Sequence, residues 1–167
     1  MTLSAEDRTT VEAFLQYVED ASAGDDRYGM AARFERSDGS EFSTRFEVEP
    51  RCWLEAAVEP FVPRIRVGFV TDDPAIGEAL LQAIKDSNEP VSKVLEGALA
   101  EAGVDWPDPP VEQVIEDEQH IYFVTPLKME SLDDLDLDFL KMRDKTLRLL
   151  EAYLIAFGSA IPPEDDE

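Results

Sequence analysis

The sequence predicts an α+β fold: an antiparallel sheet of about five strands with helices packed on one face, in the order α-βββ-αα-ββ-α. Three observations predict it. Apolar residues alternate with polar ones on both sides of a turn signal at residues 37–40. A second pair of short alternating runs flanks the polar stretch Glu116-Asp117-Glu118-Gln119. Runs with helical spacing precede, separate and follow these pairs, and hairpins with helices set between them argue for one sheet carrying helices on one side.

Each element has its own signal. Ser4 followed by Asp7 resembles a capping box, and Val11, Phe14, Leu15 and Val18 then recur at helical spacing, giving a first helix over about 5–22. Tyr28, Met30, Ala32 and Phe34 alternate with more polar neighbours. Ser37-Asp38-Gly39-Ser40 supplies turn chemistry, and Phe42, Phe46 and Val48 alternate beyond it. Pro50, Pro60 and Pro63 bracket a stretch read as a short helical turn near Leu54–Val58. Ile65, Val67 and Phe69 read as the third strand. Asp73-Pro74 starts a helix, because proline at the first helical position gives up no bonded N–H. Pro90 breaks that run and Gly103 ends its continuation, so two consecutive helices follow. Val104–Pro110 is a stiff connector, Val111–Ile115 and His120–Val124 form a second hairpin, and Ser131 with Asp134 caps a last helix over about 132–158. Residues 162–167 read as an acidic, disordered tail, and the whole chain as one domain.

Composition bounds the partners. The chain carries 38 Asp and Glu against 15 Lys and Arg, a formal net charge of −23. Nucleic-acid binding works through clustered cations that displace counterions from phosphates, so this field excludes nucleic acid and anionic membrane as expected partners. Abundant acid with only five Lys among the basic residues also fits a surface adapted to high salt. No basic leader and no apolar run near the ~20 residues of a membrane span is evident, which implies a cytoplasmic protein. Cys52 is the single cysteine, and beside Trp53 it reads as a small buried hydrophobe.

No catalytic or metal motif survives inspection. The run Asp133–Asp138 lacks the Gly and Glu that a calcium loop needs at its sixth and twelfth positions, and its acids suit the first turn of a helix. His120 is the only histidine, too little for a His-based metal site, and nothing in the spacing pairs it with Cys52. No metal and no cofactor is expected.

The arginines carry the better clue. If Tyr28, Phe34, Phe42, Phe46, Ile65, Val67 and Phe69 face the core, alternation puts Arg27, Arg33, Arg45, Arg64 and Arg66 on the opposite face of the sheet. That face would receive an acidic peptide or planar anion, since the guanidinium fork suits carboxylates, unless the arginines pair with Glu35, Glu47 and Glu49 across strands. On the contact reading, removing Arg33, Arg45 and Arg66 together weakens partner capture and leaves stability within about 1 kcal/mol. A second basic strip, Lys141, Lys145 and Arg148, shares one face of the last helix and suits an acidic partner or a second copy of the chain.

The element order, and the final third in particular (the strand HIYFVTPL, then Ser131-Leu132 opening a long amphipathic helix), resembles the small acidic chaperones of type III secretion systems and the related YbjN-type domains. The resemblance implies a non-enzymatic, often dimeric protein that holds a partner polypeptide along exposed sheet or helix surfaces. The expected function is a non-catalytic protein-binding module, chaperone-like or regulatory, using a strand edge or an apolar groove. The rivals are a small enzyme using a carboxylate and His120, an acidic mimic of nucleic acid, and a salt-adapted structural protein.

Overall fold

The computed structural model describes residues 3–116, 120–135 and 140–158. Its order is α1 (Ala5–Ser22), β1 (Ala31–Glu35), β2 (Phe42–Glu49), β3 (Cys52–Glu59), β4 (Arg64–Thr71), α2 (Pro74–Ser87), α3 (Val91–Glu101), β5 (Glu112–Glu116), β6 (His120–Lys128), a 3-10 turn (Leu132–Leu135) and α4 (Leu140–Gly158). The α+β class holds, with six strands among the described residues rather than about five. They form one antiparallel sheet in the order β1-β2-β3-β4-β6-β5.

The local signals act as the chemistry dictates. Ser4 Oγ accepts from the Asp7 N–H at 3.1 Å and starts α1. Asp73 Oδ1 accepts from the Ala75 N–H at 2.9 Å ahead of Pro74 in α2. Gly39 takes φ +74° in the β1–β2 turn, where Asp38 Oδ1 accepts from the Ser40 N–H at 2.9 Å. Val11, Phe14, Leu15 and Val18 are buried against a core that includes Phe42, Phe46, Leu54, Val58, Ile65, Phe69, Leu99, Phe123, Tyr153 and Phe157. This core lies between the helices and one face of the sheet. The rings of Phe69 and Phe157 stack at 5.4 Å, tying β4 to α4.

Three expectations are corrected. Residues 52–59 are strand β3, not a helical turn. Leu, Glu and Ala favour helix locally, but β3 is a central strand that is buried on both faces over Leu54–Val58, and burial overrides propensity. The strand β1 presents its faces the other way round. Ala31, Arg33 and Glu35 lie opposite Phe46, Thr44 and Phe42, toward the helices, and Phe34 lies opposite Ser43 on the open face. The last helix begins later than the sequence suggests: Ser131 Oγ accepts from the Asp133 N–H at 3.2 Å and opens only the 3-10 turn. Asp133 and Asp134 belong to that turn; Asp136, Asp138 and the expected acidic tail at 162–167 lie outside the described residues. No described helix is long and apolar enough to cross a membrane.

The open face is concave. Gly68 of β4 sits on it, opposite Glu55 and Val124. A Cβ built there would overlap the Phe123 carbonyl oxygen and fall 2.7 Å from Val124 Cα. The backbone of β6 therefore crowds the open face at this point. On this face, Val70, Tyr122 and Val124 form a second small apolar cluster with Trp53 and Val114. Gly68→Ala is expected to lower stability by ~3 kcal/mol, because backbone rather than a movable side chain must shift. Urea unfolding checks this, and a loss below about 1 kcal/mol would mean that the close approach of β6 does not need glycine.

Candidate functional site

The concave face is organised around Arg45. Glu55, from the central strand, is only 2% exposed. A carboxylate that deep needs a charged partner to offset its lost hydration. Arg45 on β2 lies directly across from it and donates Nε–H to Glu55 Oε2 at 2.6 Å. Its Nη2 donates to Tyr122 Oη at 2.9 Å, reaching β6 over the space that Gly68 leaves. The guanidinium also sits 4.8 Å from the Phe34 ring centroid and 5.8 Å from that of Tyr122. Burial disfavours the Arg45 charge, yet Glu55 and Tyr122 together hold its pKa above the ordinary value.

A cavity of about 300 Å³ opens beside this pair, lined by Phe34, Glu35, Arg36, Glu41, Ser43, Arg45, His120 and Tyr122. Burial, reinforced by the negative charge of Glu55, raises the pKa of Glu41 above the usual carboxylate value. Arg36 and Arg66 approach Glu41 Oε2 at 3.8 and 3.5 Å. On the helix side of β1, a second cavity of about 150 Å³ is lined by Glu12, Leu15, Arg33, Phe34, Glu35 and Phe42. The outermost strand β1 therefore has a recess on each face.

The five arginines singled out from sequence do not gather as expected. Arg45, Arg64 and Arg66 share the open face. Arg33 points to the helices and is held by Glu19 and Gln16 of α1. Arg27 precedes β1 and pairs with Asp25 at 2.7 Å and Glu151 at 3.5 Å. The three that share a face are engaged within the chain. Arg64 donates to Glu59 at 3.0 Å. Arg66 Nη1 lies between Glu41 and Glu59 at 3.5 and 3.6 Å, and its buried Nε has no hydrogen-bond partner among the described residues. The partners anticipated from sequence were Glu35, Glu47 and Glu49. The partners found include Glu19, Glu41, Glu55 and Glu59, because β3 supplies two of them and was not recognised as a strand.

His120 lines the larger cavity, whereas Cys52 is buried on the helix-covered face against Thr71 Oγ1 at 3.7 Å. Burial pushes the Cys52 thiol up in pKa. The two residues lie on opposite faces of the sheet and cannot act as a nucleophile and base. Sequence reasoning missed Glu41, Ser43, Glu55 and Tyr122. The one legible sign was Glu55, a single acid inside the apolar run Cys52–Val58.

No protein-family model, no curated protein and no solved structure matches the chain. The observed order also holds one strand more than the order on which the resemblance to secretion chaperones rests.

The network itself is testable. Arg45→Met strands a buried carboxylate and should cost about 3 kcal/mol, while adding Glu55→Leu should restore most of that loss. A loss of that size would run against the expectation that Arg45, with Arg33 and Arg66, can be removed at a cost within about 1 kcal/mol. Additive losses in the double variant would show that the two groups do not depend on each other.

Proposed function

We propose that the chain is a non-catalytic polypeptide-binding module that adds a partner strand beside β1. The observation that carries this reading is the pair of recesses flanking an exposed sheet edge. Strand addition draws affinity from main-chain hydrogen bonds and specificity from recesses that take alternate side chains. A strand laid against β1 would point successive side chains toward the 300 Å³ cavity and the 150 Å³ cavity in turn.

The backbone supports the same geometry. Arg36 N–H donates to the Glu41 carbonyl at 2.9 Å. Alternation along an antiparallel ladder then turns the N–H and C=O of Phe34 and Ala32 toward β2, and those of Arg33 and Glu35 outward. Native sheets usually protect such edges. Here Phe34 is 50% exposed and Met30, just before the strand, 91% exposed. In this reading the arginines of the open face hold the recess in shape instead of contacting the partner.

Selection of displayed random peptides on the full chain tests the proposal. The expected ligands alternate in side-chain character, protect the Arg33 and Glu35 amides from hydrogen exchange, and bind at least about tenfold less well to Arg33→Pro, which removes an outward N–H. Protection confined to other elements, or unchanged binding by that variant, would sink it.

One observation favours a second reading, a small enzyme: His120 and a carboxylate of raised pKa, Glu41, line the same cavity. Paired titratable groups in a cleft mark acid–base sites. Turnover of chromogenic ester, phosphoester or glycoside substrates that disappears in both His120→Ala and Glu41→Gln would establish it. Turnover that survives both changes would exclude this pair.

A further inference from the structure

We infer that a separate groove on the far side of the sheet receives a short acidic segment of another polypeptide. The groove begins where β5 stops. Pro109 and Pro110 cannot donate N–H groups to a ladder, and β5 starts only at Glu112, opposite Val124. Beyond Val124 the strand β6 runs on to Lys128, paired with β4 on one side and with no strand on the other among the described residues. The missing ladder leaves a notch, closed below by α4 and at one end by the connector after α3. Its volume is about 680 Å³, and its wall includes Trp106, Pro126 and Met142 with the cations Arg64, Lys128 and Lys145.

Charge decides the occupant. The chain as a whole has 38 acids to 15 cations. Among the lining residues cations outnumber acids, with Arg64, Lys128 and Lys145 beside Glu112; Arg64 is already paired with Glu59 at 3.0 Å, so the excess is carried by the two lysines. Three of the 15 cations of a strongly acidic protein thus converge on one concavity. Lys145 Nζ lies 4.1 Å from the Trp106 ring centroid, so the indole holds the ammonium at the groove wall. Lys128 is exposed and has no ion-pair partner among the described residues. Trp106, Met142 and the prolines offer an apolar floor, which a bare anion would not use but a peptide side chain would. A long polyphosphate would extend beyond the groove into the field of the surrounding acids, whereas a short acidic segment stays within it. This groove does not involve β1, so it stands or falls apart from the strand-addition reading.

The test is fluorescence anisotropy with the full chain and three labelled probes: a short Asp/Glu peptide with a central Leu, its Lys-for-acid counterpart, and a single-stranded oligonucleotide of the same charge as the first. The acidic peptide should bind best, and more weakly when salt is raised from about 50 to about 300 mM. Lys128→Glu should weaken it about fivefold, and Lys128→Glu with Lys145→Glu further. The emission of Trp106 in a Trp53→Phe background should change on binding, and Arg33→Pro should leave the affinity unaltered. Undetectable binding of the acidic peptide, equal binding of the basic one, tighter binding of the oligonucleotide, or indifference to both lysine changes would each overturn the inference.

Discussion

The Arg45–Glu55 pair is the interaction on which the concave face depends. A carboxylate on a central strand, nearly sealed from water, is tolerable only with a cation held against it. Holding that cation fixes Arg45, and Arg45 in turn fixes two rings, Phe34 from the outermost strand and Tyr122 from β6. Gly68 makes the geometry possible. By presenting no side chain it lets the backbone of β6 crowd the open face and bring the Tyr122 hydroxyl within 2.9 Å of the guanidinium. One ion pair and one missing Cβ therefore set the shape of the recess beside β1.

The pairing of the arginines also moves the functional argument from side chains to backbone. A free row of guanidiniums would attract anions over the whole open face. The row found here is engaged by Glu41, Glu55 and Glu59, so its field is largely spent inside the chain. What the face still offers is the edge of β1, with outward N–H and C=O groups and a recess on either side. Those groups carry no formal charge, so their hydrogen bonding does not itself select for the sign of a neighbour's charge.

The helices were legible because their signals are local. Capping residues, the Pro74 start, the Pro90 break and the apolar period of α1 act within one or two turns and are read directly from neighbours in sequence. The sheet was legible in part. Strand β3 escaped because a strand buried on both faces does not alternate, and its Leu, Glu and Ala suit a helix equally well. The face of β1 was misread because Tyr28, Met30, Ala32 and Phe34 share a parity and two of them are aromatic, so the strand was assumed to run through all four. The ladder begins only at Ala31, and pairing with β2 sends Phe34 outward and Arg33 inward. A shift of one residue exchanges the two faces of a strand, which is why Arg33 left the predicted cluster; Arg27 left it because it lies ahead of the strand. The Tyr122–Arg45 contact spans 77 residues, and no local pattern could announce it.

The net charge bears on how such a sheet can stay open at both ends. An exposed edge with apolar neighbours invites pairing with another copy of the same chain. Met30 and Phe34 sit at one edge and Ile115, 62% exposed, at the other. Two copies each carrying −23 repel before their edges can align, and the repulsion is strongest at low salt. The acid excess then acts as protection that leaves the edges themselves unblocked. A less acidic chain meets no such barrier at β1. An acidic one meets it everywhere except at the notch beside β6, where cations outnumber acids in the lining. If the two proposed sites are used, the acid excess that opposes self-association would also sort their partners by the sign and density of charge.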